Sequence, residues 1–300
     1  MSSEGLAKAI ADNRFVVMAE FIPPRSADAA GVRAAAEALK GSVDAICAAE
    51  SPDGARMCSL SACGHLAAAG AEPVLSLLTR DCNRIALQAA ILGARSMGAP
   101  NMMLMSGRHQ ALTSSRTARG VFDLDPIQLI RVADALRKQG RLADGQTIDS
   151  PIDFTLGTDT NPFADPTELQ VIALDKAVSA GADFVITQPV FNIDRFNVWM
   201  TYVRQRGIHE RTCIIASVMP ITSSQDAVHL AEKYSHLDIP DAVVERLETA
   251  QDPMSAGVHL AVETIERVHN VEGVRGVHIM SGENYELAAS VLSSSGLTRS

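Results

Sequence analysis

Eight short apolar runs alternate with stretches of helical spacing, and this alternation constrains the fold more than any other feature of the chain. The runs lie at 15–22, 44–49, 73–79, 101–106, 153–157, 183–188, 212–219 and 274–280. Runs of this length, bounded by turn residues, are typical of buried strands. The stretches between them carry one apolar stripe each, as at Val32, Ala36 and Leu39, which predicts helices that pack on a sheet.

Signals for the starts and ends of helices support this pattern. An aspartate that can cap a helix is followed by a proline suited to the first helical position at three places, and Glu168 would complete a capping box with the second of these aspartates. The three pairs are Asp125-Pro126, Asp165-Pro166 and Asp252-Pro253. Glycines suited to a left-handed C-terminal cap precede the next strand at Gly41, Gly70, Gly98, Gly140, Gly181 and Gly207.

Strands that alternate with helices in this way are parallel, and eight of them can close into a barrel without leaving an edge. The sequence therefore predicts one α/β domain over residues 1–300, a (β/α)8 TIM barrel with extra helices between 223 and 270, before the last strand. The rival fold is a doubly wound open sheet. It would normally show a glycine-rich phosphate turn after its first strand, and residues 20–24, Glu-Phe-Ile-Pro-Pro, cannot form one.

Composition limits the partners and the compartment. The formal net charge is −9 and no dense run of lysine and arginine occurs, so nucleic acid is not expected and a small molecule is. No apolar run approaches the roughly 18 residues of a membrane span, and no leader precedes Phe15, which predicts a cytoplasmic protein with no membrane partner. The 5 cysteines are an odd number and suggest no disulfide framework, and the 8 histidines lack metal-binding spacing, so no metal site is expected.

In a barrel, the active-site residues should lie at the carboxyl ends of the strands. Glu20 and Gln188 each end an apolar strand, where an unpartnered polar group would cost on the order of 1–3 kcal/mol, so a ligand or neighbour must satisfy it. Glu50, Asp81 and Asp159 are most simply loop charges or helix caps. We therefore expect chemistry first at Glu20, a carboxylate at the mouth of an apolar strand.

The segment from Arg108 to Asp125 is long and polar for a connection between a strand and a helix. One interpretation is a lid or cofactor arm that offers Arg116 and Arg119 to phosphate groups, and the other is a solvated loop. His109 sits at the predicted mouth, where it could be either a catalytic or an ordinary loop histidine.

Four segments in this order resemble the methylenetetrahydrofolate reductase family. They are residues 19–25, AEFIPPR, residues 101–107, NMMLMSG, residues 179–188, SAGADFVITQ, and residues 276–280, GVHIM. The resemblance implies a (β/α)8 barrel that holds FAD at its mouth. It also implies that NADH or NADPH reduces the flavin, and that 5,10-methylenetetrahydrofolate then takes the hydride to become 5-methyltetrahydrofolate.

The resemblance assigns roles to individual residues. Glu20 would be the general acid that helps open the folate imidazolidine ring to an iminium ion, and Gln188 would hydrogen-bond the pterin or the flavin edge. The cofactor would be held by Ser76, Thr79, Ser106, Gly107, Arg108, Gly157, Thr158, Asn161 and Lys176. The substrate would be bound by Gln188, Phe191, Ser224 and Asn284. Phe191 could equally be a core aromatic.

The chain also departs from the family pattern on the flavin side. Arg108 stands where the family usually has an aspartate, Gly157 where an aromatic is often found, and Ser76 where many members have a histidine, while only Lys176 remains of an expected basic pair. The departures leave open whether hydride passes through FAD or directly from the nicotinamide. An alternative function is a redox-inactive folate-binding barrel in a methyl-transfer complex. A homo-oligomer or a partner subunit is compatible with either.

Overall fold

The computed structural model describes residues 5–50, 54–234 and 237–297. Its eight strands form a closed parallel barrel in chain order, and β8 pairs with β1 to close it. The strands are β1 Val16–Phe21, β2 Ala45–Ala48, β3 Pro73–Leu78, β4 Asn101–Met105, β5 Thr155–Thr160, β6 Phe184–Pro189, β7 Cys213–Val218 and β8 Val274–Ile279. The prediction of a (β/α)8 barrel is confirmed.

Helices surround the strands: the first helix precedes β1, and the others follow strands and form the outer layer. They are α1 Leu6–Ala11, α2 Ala30–Leu39, α3 Ser59–Ala68, α4 Arg84–Ser96, α5 Pro126–Gln139, α6 Thr167–Ala180, α7 Ile193–Gln205, α8 Ser224–Lys233, α9 Asp241–Thr249, α10 Pro253–His269 and α11 Tyr285–Ser295. The extra helices expected before the last strand are present. Their apolar faces make a small core of their own around Ile221, Ala227 and Leu247.

The polar end of β5 corrects one predicted boundary. The apolar run ends at 157, yet the strand continues to Thr160 because Asp159 and Thr160 pair with Ile186 and Thr187 of β6. Thr158, Asp159 and Thr160 are therefore strand residues and not part of a loop. Pairing with a neighbouring strand satisfies their backbone groups, so their polar side chains do not end the strand.

Two of the three predicted helix caps are correct. Asp125 caps α5 in a full capping box, and Asp252 caps α10. Asp165 does not cap α6, because the helix begins at Thr167 with Pro166 at its N-cap, and the Asp165 carboxylate instead lies 3.3 Å from the guanidinium of Arg195.

The interior of the barrel is filled by the side chains that point inward at every second strand position. The interior cluster includes Val16, Met18, Val74, Met103, Phe184, Ile186 and Ile215. Leu6 and Ala9 of α1 join it and are fully buried, and the Glu72 carboxylate accepts the Leu6 amide at 2.8 Å. Helix α1 therefore covers the amino-terminal end of the barrel, and the opposite end forms the mouth.

A glycine is needed at position 157 because the ring of Phe184 fills the space beside it. The two residues are paired across β5 and β6, and a Cβ atom on Gly157 would lie 2.1 Å from Cζ of Phe184. The aromatic group that fills this level of the barrel thus comes from β6.

We expect Gly157→Ala to destabilise the protein by about 1–3 kcal/mol, because the added methyl group must displace the buried Phe184 ring. Chemical denaturation measures the change. The matched control is Gly31→Ala in α2, where a Cβ meets nothing within 4 Å and should be neutral or stabilising. Equal stability of the two variants would contradict this account of the barrel interior.

Candidate active site

Glu20 lies at the inner rim of the mouth. It occupies the strand position after the inward-facing Val16 and Met18, and its side chain is partly exposed. The amide of Ile22 donates to the carbonyl of Gly282 at 3.2 Å, which joins the end of β1 to the loop after β8. Burial among the barrel walls raises the pKa of Glu20 to about 7. A carboxylic acid that keeps its proton near neutral pH can serve as a general acid.

Asp159 is a second carboxylate at the mouth. It follows the inward-facing Gly157 by two positions in β5, so its interpretation as a loop charge or a helix cap is wrong. Desolvation by the surrounding walls raises the pKa of Asp159 to about 6, and a hydrogen bond from its own backbone amide opposes part of this rise. Strands β1 and β5 are opposite each other in a closed barrel of eight. Glu20 and Asp159 therefore face one another across the mouth.

The level beneath these carboxylates is polar and uncharged. Cys47 Sγ lies 3.5 Å from Ser76 Oγ, and Ser217 Oγ lies 3.2 Å from Nδ1 of His278. Burial raises the pKa of the Cys47 thiol to about 12 and lowers that of His278 to about 4, so both groups are neutral at physiological pH. Ser76, expected to touch a cofactor, is fully buried in this level.

The loop after β4 is folded against the end of β3. The amides of Val121 and Phe122 donate to the carbonyls of Arg80 and Thr79 at 2.7 and 3.0 Å. Arg80 in turn donates from Nη1 to the carbonyl of Arg108 at 3.0 Å. Residues 108–125 are thus anchored to the end of β3, while most of the segment, including Arg116 and Arg119, is exposed. Its interpretation as a lid or as a solvated loop stays a prediction.

Arg108 connects two sides of the mouth. Its guanidinium carbon lies 4.4 Å from the ring centroid of Tyr234, at the end of α8, and Nη1 has no hydrogen-bond partner within the described parts of the chain. A cation held against an aromatic face is stabilised by the ring quadrupole. His109, the next residue, is exposed and accepts the amide of Ala111 at 3.2 Å, so it is a loop histidine in this structure.

Several residues expected at the site have other roles. Thr158 points away from the mouth and donates to the Leu104 carbonyl at 2.8 Å, Asn161 accepts the Phe163 amide at 3.0 Å, and Asn284 caps α11. Lys176 is exposed in the second half of α6, away from the end that follows β5. Phe191 packs against the small core under α8 and α9, and Ser224 lines a groove between these helices. Gln188 follows the inward-facing Phe184 and Ile186 and lies at the rim.

Several of the residues that the resemblance assigns to FAD have side chains that are engaged within the protein. The side chains of Thr158 and Asn161 are engaged in structural hydrogen bonds, and Phe184 fills the space beside Gly157. Of the expected polar contacts, buried atoms without a partner among the described residues remain on Thr79 and Arg108. Ser106 and Gly107, which precede Arg108, contribute no buried side-chain donor that lacks a partner among the described residues. This arrangement does not fit a flavin bound in the expected way.

A cavity of about 250 Å³ beside the mouth contains residues that the motifs did not identify. Arg56 and Gln110 line it, together with Glu50, Arg80 and Asp81. Arg56 reaches the mouth, because it donates to the Pro23 carbonyl at 3.2 Å and to Glu283 at 2.6 Å. Its position directly after β3 indicates Arg80 as a mouth residue from the sequence, whereas Arg56 lies inside a loop, Gln110 begins a short 3₁₀ helix in the loop after β4, and neither carries a local signal.

Neither a metal centre nor a membrane-spanning helix is found in the part of the chain that the structure describes. No group of three or more His, Cys, Asp and Glu side chains in the described ranges could hold a metal ion, and the five cysteines are free thiols. Among the helices built from described residues, none has both the length and the apolar character needed to cross a bilayer.

The family model for methylenetetrahydrofolate reductase matches residues 6–296 of the chain. Methylenetetrahydrofolate reductase 2 of Saccharomyces cerevisiae is 29% identical over 116 residues, which cover 37% of this chain and 19% of that protein. The probable methylenetetrahydrofolate reductase (NADH) of Oryza sativa subsp. japonica is 29% identical over 129 residues, which cover 41% of this chain and 21% of that protein. The matched part thus spans about a fifth of the length of each relative.

A solved structure shares the fold of the whole chain. It is an uncharacterized protein from Clostridium thermocellum that binds two copies of 5-methyl-5,6,7,8-tetrahydrofolic acid. Its TM-score is 0.66 at 14% identity, and the match covers 95% of this chain and 96% of that one. At this level of identity the likeness shows the barrel architecture.

We expect Glu20→Gln to raise the melting temperature at pH 8 and to leave it unchanged at pH 4. The folded-state pKa of about 7 lies above the ordinary value of 4.5, so ionising Glu20 opposes folding as the pH rises between these values. Glutamine removes this loss of folding free energy, which is on the order of 1–3 kcal/mol at pH 8. Below pH 4.5, Glu20 of the wild type is protonated in both the folded and the unfolded state, so the substitution changes little there.

Thermal melts monitored by circular dichroism at the two pH values test this expectation. The matched control is Glu266→Gln on the exposed face of α10, which should give the same small change at both. A loss of stability at pH 8, or a gain of equal size at pH 4, would contradict the assigned ionisation of Glu20.

Proposed function

The chain belongs to the methylenetetrahydrofolate reductase family, and from this premise we propose that it reduces 5,10-methylenetetrahydrofolate to 5-methyltetrahydrofolate with a hydride from a reduced nicotinamide nucleotide. The observation that carries the proposal is the pair of inward-facing carboxylates, Glu20 and Asp159, at opposite sides of the mouth with their pKa values raised to about 7 and about 6. When two acids titrate at different pH, one can stay protonated as the proton donor while the other is ionised and carries a negative charge.

Glu20 acts as the general acid. The imidazolidine ring opens when the bond between N10 and the bridging carbon breaks, and a proton must reach N10 as its electron pair returns to the nitrogen. Because Glu20 stays protonated up to about pH 7, it can supply that proton near neutrality. The product of this step is a cationic iminium ion at N5.

Asp159 stabilises that cation. Below pH 7 and above pH 6 its carboxylate is ionised while Glu20 keeps its proton, so one negative charge faces the developing positive charge. A pair of unit charges about 4 Å apart is worth on the order of 4 kcal/mol at an effective dielectric near 20. In this chain Asp159 would thus take the electrostatic role of the aspartate that Arg108 replaces.

The hydride passes directly from the nicotinamide to the iminium carbon, giving the methyl group and the oxidised nucleotide. Direct transfer needs no further redox group, in agreement with the poor fit of the expected flavin contacts. Gln188, at the rim on β6, is positioned to hydrogen-bond the pterin. The overall balance is one nicotinamide hydride and one proton consumed for each 5-methyltetrahydrofolate formed. Relatives are named for NADH and for NADPH, so their names leave the donor open.

We expect the purified protein to oxidise NADH or NADPH only when 5,10-methylenetetrahydrofolate is present, as followed by the loss of absorbance at 340 nm. Glu20→Gln should lower this rate at least 100-fold, because general acid catalysis typically contributes 10²–10⁴-fold. Binding of 5-methyltetrahydrofolate should be retained. Folate binding without turnover of either nucleotide would overturn the proposal and favour the redox-inactive binding subunit.

The absorption spectrum of the freshly purified protein tests direct transfer. We expect no flavin bands, and we expect that added FAD neither binds nor raises the rate. A flavin that copurifies at one equivalent, or a rate that depends on added FAD, would show that hydride passes through the flavin.

The rate should depend on pH in a bell shape, with an acid limb near 6 and a basic limb near 7. Asp159 must be ionised and Glu20 must be protonated, so activity rises as Asp159 loses its proton and falls as Glu20 loses its own. Asp159→Asn should remove the acid limb and lower the maximum at least tenfold. An unaltered acid limb in this variant would exclude Asp159 as the group that titrates there.

A further inference from the structure

The cavity beside the mouth is formed by three consecutive loops. Glu50 follows β2, Arg80 and Asp81 follow β3, and Gln110 lies in the loop after β4. Its volume of about 250 Å³ is smaller than the roughly 300–1,000 Å³ of pockets that enclose a drug-sized molecule. Arg56 forms part of its wall and also touches Pro23 and Glu283 at the mouth. The cavity can therefore hold one ring of a larger ligand whose remainder lies over the barrel.

Two buried hydrogen-bond donors on this cavity lack partners among the residues that the structure describes. Gln110 is only 5% exposed, and its Nε2 makes no hydrogen bond to any described residue. Gly120 packs so tightly against this amide that a Cβ there would lie 2.3 Å from Nε2, which holds the side chain in place. Nε of Arg56 is likewise buried without a partner in the described ranges. Unpaired buried donors are costly, so the two point to a ligand that offers acceptor oxygens.

The charge around the cavity argues against a phosphate as that ligand. Arg80 is held by Asp81 through bonds of 2.8 and 2.7 Å, and Arg56 is paired with Glu283 at 2.6 Å. Glu50 accepts the amide of Ser59 at 3.2 Å and adds a third carboxylate. The lining carries two guanidinium groups and two carboxylates, and Glu283 beside it adds a third carboxylate, so no positive charge is in excess. A phosphate dianion would find no unpaired cation there, whereas a neutral diol can both accept from the donors and donate to a carboxylate.

We propose that this cavity binds the adenosine ribose of the nicotinamide nucleotide as an unphosphorylated diol, so that the hydride donor is NADH and not NADPH. A carboxylate that accepts the ribose hydroxyls is the recognised arrangement for NAD in other folds, and a 2′-phosphate there calls for a free arginine. Here both arginines are paired with carboxylates, and Glu50 supplies an acceptor. The inference rests on the proposed function, since it concerns the donor used at the same mouth.

Isothermal titration calorimetry of the intact protein with ADP-ribose and with 2′-phospho-ADP-ribose tests the proposal without any variant. We expect ADP-ribose to bind at least tenfold more tightly. Equal affinity, or tighter binding of the phosphorylated compound, would overturn the assignment of the cavity to an unphosphorylated ribose.

Variants then locate the binding site. Gln110→Met removes the amide donor at nearly constant size and should weaken ADP-ribose binding at least fivefold, whereas Gln139→Met, at the exposed end of α5, should leave it unchanged. Glu50→Gln should reduce the preference for ADP-ribose over its 2′-phosphate at least threefold. Unchanged affinity in Gln110→Met, in protein with the wild-type circular dichroism spectrum, would place the ribose elsewhere.

Failure of this inference and failure of the proposed function give different results. If ADP-ribose is preferred but neither NADH nor NADPH is oxidised with 5,10-methylenetetrahydrofolate, the cavity assignment stands and the reductase proposal falls. If NADPH supports folate reduction as well as NADH does, the reductase proposal stands and the cavity assignment falls.

Discussion

The pairing of β8 with β1 is the constraint on which the rest of the structure depends. Once Met18 lies beside His278 the sheet is closed, and each strand must point every second side chain into a shared interior. The last inward-facing side chain of each strand then lies at the same rim. This geometry brings Glu20, Asp159 and Gln188 to one mouth although the sequence separates them widely. It also sets β1 opposite β5, so that the two carboxylates face each other.

The fold could be predicted because every strand contains an apolar run and most helices have readable ends. The end of β5 could not, since its Thr-Asp-Thr sequence is polar and only pairing with β6 identifies it as a strand. Glu20 and Gln188 were recognisable because each ends an apolar strand. The resemblance places Thr158 at the mouth, whereas the direction in which its side chain points depends on the register of the strand, which no motif specifies.

Arg56 and Gln110 illustrate a different limit. Neither belongs to a motif, and the loops that carry them lie more than 50 residues apart in the chain. What unites them is that both line one cavity with buried donors lacking partners among the described residues. Such convergence is a property of three-dimensional packing and leaves no periodic or compositional trace. The same is true of the contact between Arg108 and Tyr234, which crosses the mouth from the β4 loop to the end of α8.

In a closed barrel, a charged residue near the ligand can be supplied by different strands. A ligand at the centre is near the ends of all eight strands, so an acid after β5 can act on it much as an acid after β4 would. Arg108, which stands where the resemblance leads one to expect an acid, is held against an aromatic ring, and the carboxylate lies on the neighbouring strand. Under the proposed function, this arrangement would keep a negative charge near the ligand while changing the residue that carries it.

Helix α1 has a consequence for the traffic of ligands. Since Leu6 and Ala9 close the far end of the barrel, two ligands that react together must share a single entrance. The filled interior offers no second route to Glu20 and Asp159, so any molecule that reaches them comes from the mouth side. A short helix on the side remote from the two carboxylates therefore keeps water out of the base of the barrel and leaves the opposite end as the face that ligands share.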